Sequence, residues 1–201
     1  SDLSEVRRNK KTFILTDGNI STLLHTLQEY RFGCLPVYIG ERLSYPEETI
    51  VSGTVDELAD GEYDKLAVML VINEKADERI LAGIADEKFE RGNVPMTKME
   101  VRTVSVAKLE LTEHSVLYDV GAGTGSVSVE CAGLSDSVKV YAIEKNPEAV
   151  ELLHENCKKF ALTNVKIIAG TAPEALEDLP APTHVFIGGS GGQMEEVIAL
   201  C

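Results

Sequence analysis

The sequence predicts an α/β protein whose second half forms a parallel sheet and whose first half is a smaller, partial α/β domain. Three observations carry this. Apolar runs of strand length alternate with stretches of helical periodicity. A glycine-rich turn, Asp119 to Gly125, lies between a predicted strand and a predicted helix. A charged stretch from Asn73 to about Pro95 separates two strand–helix series. Alternation of this kind implies parallel strands joined by right-handed crossovers.

In the first series, Phe13-Ile-Leu-Thr16 reads as a strand, and Asp17-Gly18-Asn19 turns into a helix with a buried stripe of Leu23, Leu24, Leu27 and Tyr30. Leu35-Pro-Val-Tyr-Ile39 is a second strand, followed by the loop Gly40 to Pro46. Val51-Ser-Gly-Thr54 leads into a short helix, with Thr54 and Glu57 spaced as a capping box. Leu66-Ala-Val-Met-Leu-Val-Ile72 is a continuous apolar run, as expected of a strand covered on both faces. Residues 74–95 read as a linker with one helical turn at most.

The second series begins with Thr97-Lys-Met-Glu100, a second capping-box spacing that opens a helix running to about Leu109. Val116-Leu-Tyr-Asp-Val120 is a strand, and Ser126 to Leu134 a helix. Val138 to Ile143 is the next strand, and Asn146-Pro147 starts a helix with Pro at its first position and an apolar face of Val150, Leu153, Cys157 and Phe160. Val165 to Ile168 and His184 to Ile187 complete the strands, and Gly188-Gly-Ser-Gly-Gly192 is a second glycine-rich loop.

The bulk numbers exclude several function classes. Of 201 residues, 44% are hydrophobic and 26% charged, which is ordinary globular composition. The net charge is −14, from 19 basic and 33 acidic residues. Without a basic stripe, nucleic acid is disfavoured as a partner. No apolar run approaches the roughly 20 residues of a membrane span. The N-terminus lacks the apolar core of a signal peptide. Cys34, Cys131, Cys157 and Cys201 are scattered, which gives no zinc or redox motif and fits reduced thiols. A soluble cytoplasmic protein with no metal site is expected.

Asp119-Val-Gly121-Ala-Gly123-Thr-Gly125 has the context in which glycines carry meaning, because backbone must approach a ligand at a strand's carboxyl end. A plain tight turn needing small residues is the competing explanation. Three features favour S-adenosylmethionine (SAM) over a dinucleotide. Position 126, where a dinucleotide fingerprint has its third glycine, is Ser126. Asp119 precedes the glycines, placed to meet the ammonium of the methionine end directly or through water. Glu144 ends the next strand, where a carboxylate accepts from ribose hydroxyls.

The motifs extend beyond the turn. Pro95-Met-Thr-Lys-Met-Glu-Val-Arg102, the run from Asp119 to Glu130, Tyr141 to Ala149, Gly170-Thr-Ala-Pro-Glu-Ala-Leu176 and Phe186 to Gly192 occur in this order. Together they resemble the decarboxylating C15 methylase of cobalamin biosynthesis. Leu15-Thr-Asp-Gly-Asn19, Gly40 to Glu47 and Val51-Ser-Gly-Thr54 are similar to the C-terminal part of the C5 methylase to which it is commonly fused. The chain thus resembles an internal piece of the precorrin-6Y C5,15-methyltransferase (decarboxylating) family. Residues 1–73 correspond to the C5 methylase part, 74–95 to the linker and 96–201 to a class I SAM-dependent methyltransferase domain with a Rossmann-like sheet. The resemblance implies that this sheet stops after its fourth strand, where the fold normally has seven, leaving an edge beside Ile187 that either a partner covers or truncation exposes.

The resemblance implies SAM contacts at Thr97, Gly121, Ala122, Gly123, Thr124, Gly125, Glu144 and Ala172. Thr97 also reads as a helix cap, and Ala172 as a small residue before a helix. The loop Gly188, Gly189, Ser190, Gly191, Gly192 is expected beside substrate, with a flexible connector as the alternative. Lys98 and Arg102, four apart on one helix face, are candidates for substrate carboxylates, with a solvated basic face as the alternative. His114 and His184 read as structural, since no partner residue is evident, and no catalytic residue is assigned. The resemblance implies methylation and decarboxylation of a precorrin-6 type tetrapyrrole by a homo-oligomer. The alternatives are another class I methyltransferase acting on a small molecule or protein, an inactive SAM-binding fragment, and a nucleotide-dependent oxidoreductase.

Overall fold

The two strand series fold into two sheets of opposite character. The computed structural model describes residues 2–78 and 81–200, and the chain divides into two units, Ser1–Arg79 and Ile80–Cys201. Cys201 lies outside the described residues.

The first unit runs α1 (Asp2–Arg8), β1 (Lys11–Leu15), α2 (Ile20–Glu29), β2 (Pro36–Glu41), β3 (Thr49–Thr54), α3 (Val55–Leu58) and β4 (Ala67–Ile72). Its sheet has the order β1-β4-β2-β3, and every pairing is antiparallel. The expectation of parallel strands fails here for a topological reason. The helix α2 does join two strands of the same direction, but β4 inserts between them and runs the other way. The loop at 42–48 carries no crossover helix, so β2 and β3 close as a hairpin.

Local signals in this unit fared better than the long-range one. Thr54 accepts the Glu57 amide, and the Glu57 carboxylate accepts the Thr54 amide at 2.8 Å, closing the expected capping box on α3. The apolar run of β4 is covered on one face only. Ala67, Met69 and Val71 are buried, whereas Val68, Leu70 and Ile72 are half-buried. Ile20, Leu24 and Leu27 of α2 share one core with Val37, Ile39, Met69 and Val71. On the alternate positions Phe13, Leu15, Tyr38 and Ile50 are exposed.

The second unit runs α4 (Met99–Leu109), β5 (Val116–Val120), α5 (Ser126–Leu134), β6 (Lys139–Glu144), α6 (Pro147–Lys159), β7 (Val165–Ala169), β8 (His184–Ile187) and α7 (Met194–Leu200). The sheet order is β7-β6-β5-β8, and all pairings are parallel. This is the parallel sheet the sequence predicts, with β8 as an edge strand. Helix α5 is buried from Ser126 to Gly133, which leaves no polar stripe on which periodicity could act. Asn146 caps α6 by accepting the Glu148 amide at 3.0 Å, with Pro147 in the first turn.

Two expectations need correction. The stretch 74–95 is not a linker throughout, because the boundary between units falls at Arg79 and Ile80. Beyond it, Leu81 and Phe89 are buried in the core of the second unit, and Val94 is buried too. The second capping box does not form. Lys98 is the residue at the start of α4 and makes no side-chain cap bond, so Thr97 precedes the helix.

Candidate functional site

The sheet order reverses direction at β5, and a crevice opens there beyond the carboxyl ends of the strands. A cavity of about 530 Å³ occupies it, within the size range of small-molecule sites. Its floor is the glycine turn after β5, and its flanks are the loop after β6, the start of the segment after β7 and the glycine loop after β8. Residues 94–97 close the remaining side.

Each glycine of the turn does a different task. Gly121, Gly123 and Gly125 have φ of 72°, 57° and 75°, the left-handed region where a side chain is strained. At Gly121 a methyl would stand 2.5 Å from the Gly189 carbonyl oxygen, so only hydrogen lets the two glycine loops approach. Gly123 donates its amide to Glu144 Oε2 at 2.8 Å. At Gly125, which caps α5, a methyl would lie 2.7 Å from Leu153 Cγ. Gly125 therefore serves helix packing, and it does not line the cavity.

Two carboxylates face the cavity. Glu144 accepts the amides of Lys145 and Asn146 at 2.8 Å through Oε1, in addition to Gly123 through Oε2. A carboxylate has about four acceptor positions, so the three amides fix its orientation and leave capacity for a ligand hydroxyl. Asp119 is buried and accepts from the Ser128 hydroxyl at 2.5 Å. Burial pushes its carboxyl up to about 6, against the Ser128 hydrogen bonds and with a small push from the Glu144 charge. The Thr124 hydroxyl is buried in the same lining with no hydrogen-bond partner among the described residues. Such an orphaned group points to a missing ligand atom or water.

Most of the sequence-predicted site residues converge on this cavity. Thr97, Asp119, Gly121, Ala122, Gly123 and Thr124 line it, as do Glu144 and Ala172. Of the second loop, Gly188, Gly189, Ser190 and Gly191 line it and Gly192 does not. Thr97 is no helix cap, and it lies in the cavity lining. Lys98 and Arg102 are not in the lining. Both turn to Asp86 instead, Lys98 at 3.3 Å and Arg102 at 3.2 Å. Arg102 is wholly buried and paired with the equally buried Glu130 at 2.6 Å, so it cannot meet a substrate carboxylate. His184 opens β8 at the end away from the cavity and is bonded to Thr183, and His114 lies in the turn before β5.

Sequence reasoning missed Val94, Pro95, Met96 and Lys145 in the lining. Lys145 is the single Lys or Arg there. A methyl at Gly191 would stand 3.6 Å from its Nζ, so its cation reaches the second glycine loop. Among the described residues no group of three acidic, His or Cys side chains could hold a metal, and no helix is long and apolar enough to cross a membrane.

Residues 87–201, more than half of the chain, match the family described as the precorrin methyltransferase domain. The chain belongs to that family. A cobalt-precorrin-6B C(15)-methyltransferase (decarboxylating) of Salmonella typhimurium is 51% identical over 114 residues, covering 56% of this chain and 58% of that protein. The crystal structure of a precorrin-6y C5,15-methyltransferase from Geobacter metallireducens superposes with a TM-score of 0.58 at 43% identity, over 60% of this chain and 64% of that one. The C-terminal domain of the Rhodobacter capsulatus precorrin-6Y C5,15-methyltransferase gives a TM-score of 0.54 at 33% identity, over 58% and 62%. The chain thus spans about three-fifths of the length of the relatives it matches. The class I methyltransferase sheet expected from the sequence is the sheet of the second unit.

Proposed function

We propose that the second unit binds SAM in the cavity above β5 and β6 and uses it to methylate and decarboxylate a precorrin-6 type tetrapyrrole of cobalamin biosynthesis. The observation that carries this is the combination, in one cavity of a precorrin methyltransferase domain, of a glycine floor, two carboxylates and an unpartnered Thr124 hydroxyl.

The residues present suit the cofactor. Asp119 offers a negative charge to the ammonium of the methionine end, and Glu144 offers free acceptor positions to ribose hydroxyls. Gly121 and Gly123 admit the ligand closely, Thr97 and Ala172 face it from the sides, and Thr124 gains a partner. When bound, SAM supplies a sulfonium-activated methyl group for in-line displacement. The main contribution of the chain is then orientation, since the electron-rich carbon of a corrin precursor can itself attack. Ser190 and the glycines at 188, 189 and 191 leave room for a bulky substrate at the carboxyl end of β8. Lys145, which reaches this loop, gives one of its carboxylates a counter-charge. Loss of CO2 from the ring-C acetate leaves electron density that a proton takes up.

We assign the first unit to the C-terminal part of a C5 methylase. Two of its three resemblance motifs gather at one end of its sheet, where Leu15 pairs with Val68 and Glu41 with Ala67.

The test is incubation of the purified protein with SAM and precorrin-6 species, measuring methyl incorporation and CO2 release together. Both are expected in equal amounts. Methylation without CO2, or methylation of unrelated acceptors only, would rule out the decarboxylating reading. Lys145→Ala is expected to raise the KM for the tetrapyrrole about tenfold and leave SAM affinity within about twofold, the size of one charge-assisted contact.

A further inference from the structure

We propose that Arg102 and Asn156 are positioning residues for the cofactor cavity, holding the segment 83–97, whose regular structure is a single 3-10 turn at Asp86–Lys88, against the glycine turn. The inference rests on the SAM reading of that cavity.

Residues 94–97 form one wall of the cavity, yet they belong to no helix or strand. Backbone of this kind keeps its place only if other groups satisfy it. The structure supplies those groups from two side chains. The wholly buried Arg102 donates from Nη1 to the Thr97 carbonyl at 2.6 Å and to Asp86 Oδ1 at 3.2 Å. It donates from Nη2 to the Ile84 carbonyl and from Nε to Glu130 Oε1 at 2.6 Å. Glu130 completes the loop by accepting the amides of Gly83 and Ile84, each at 3.0 Å. Because Glu130 sits on α5, which starts at the glycine turn, this hub fastens the wall to the element that carries the floor.

Asn156 of α6 makes the second fastening. It is fully buried, donates to the Glu90 carbonyl at 2.8 Å and accepts the Glu90 amide at 2.8 Å. It also donates to the carbonyl of Thr124, inside the glycine turn, at 2.9 Å. Wall and floor come so close that a methyl at Gly123 would stand 3.3 Å from the Pro95 carbonyl.

A buried ion pair is no argument for stability, since well-packed apolar residues often serve as well. What the guanidinium adds is a planar fork that joins Thr97, Ile84, Asp86 and Glu130 at once. A lysine, as a point donor, keeps the Glu130 charge partner but cannot span all four. The chemistry therefore separates position from charge.

The experiment is calorimetric titration of the full chain with S-adenosylhomocysteine, with Tm measured in parallel, for wild type, Arg102→Lys, Asn156→Ala and the control Val106→Ala. Val106 lies on the same helix as Arg102, is buried in the core and is absent from the cavity lining. Arg102→Lys and Asn156→Ala are expected to weaken binding about tenfold while folded, the loss of one or two hydrogen bonds. Val106→Ala is expected to lower Tm and leave affinity unchanged. If Arg102→Lys and Asn156→Ala do not fold, Asp86→Ala, which removes one partly exposed partner of the fork, is expected to weaken binding about threefold. Affinity equal to wild type in the folded variants overturns the positioning role alone. No binding by the wild type overturns the cofactor reading and this inference with it.

Discussion

Asp119 is where a single residue makes the cofactor reading testable by pH. Burial raises its carboxyl to about 6 in the folded protein, above the ordinary value near 3.8. Between these values the folded state holds more protons than the unfolded state, so this group's contribution to stability falls as pH rises from about 4 to about 6. A bound ammonium needs the ionised form. Affinity for S-adenosylhomocysteine is therefore expected to be about tenfold weaker at about pH 5 than at about pH 7.5, and Asp119→Asn is expected to flatten that profile. The cysteines give a second reading at this scale. Burial pushes the Cys157 thiol up to about 12 and raises Cys131 as well, whereas Cys34 is exposed. Peptide mass spectrometry after brief alkylation is expected to find Cys34 modified and Cys131 and Cys157 unmodified until the protein is unfolded. Asp119, Glu144, Gly121 and Gly123 were legible in the sequence as residues gathered at one place, because strand ends and turn geometry fix where they lie. Arg102 was misread, because helical spacing from Lys98 says which face a residue shares and nothing of a buried partner 28 positions away.

Among elements, the glycine turn and α5 show how tightly floor and helix are coupled. Gly125 is both left-handed and in contact range of Leu153. Gly125→Ala is expected to cost about 1–3 kcal/mol through strain and overpacking, seen as a lower Tm. β5, α5 and β8 follow the residue ranges read from the sequence, since each is bounded by turns or glycines. α7 gave no such signal, and the capping box at Thr97 was a spacing without the geometry. Of the wall at 94–97 the sequence offered Thr97 alone, because the wall is irregular backbone in a segment held by side chains from α4, α5 and α6.

For the whole molecule, each unit has its own core, with residues 3–71 in one and residues 81–197 in the others. All cavity-lining residues fall between 94 and 191. A chain of residues 80–201 is therefore expected to keep the S-adenosylhomocysteine affinity of the full chain within about twofold, measured by calorimetry, as domains with separate cores do. Strand–helix alternation was a correct guide to the second sheet, where the crossovers from β5 to β6 and from β6 to β7 return to a neighbour and the last carries the chain past both to β8. It was a poor one to the first, because pairing partners far apart in sequence, such as Lys11 and Ile72, leave no local trace. The claim on which the rest depends is that the glycine turn binds SAM, and titration with S-adenosylhomocysteine of wild type and Gly123→Val tests it most directly. Gly123 is left-handed, bonds Glu144 and faces Pro95, so a valine there blocks the floor. Saturable binding by wild type and none by a folded Gly123→Val is the expected result. No binding by wild type, or equal binding by the variant, would contradict it.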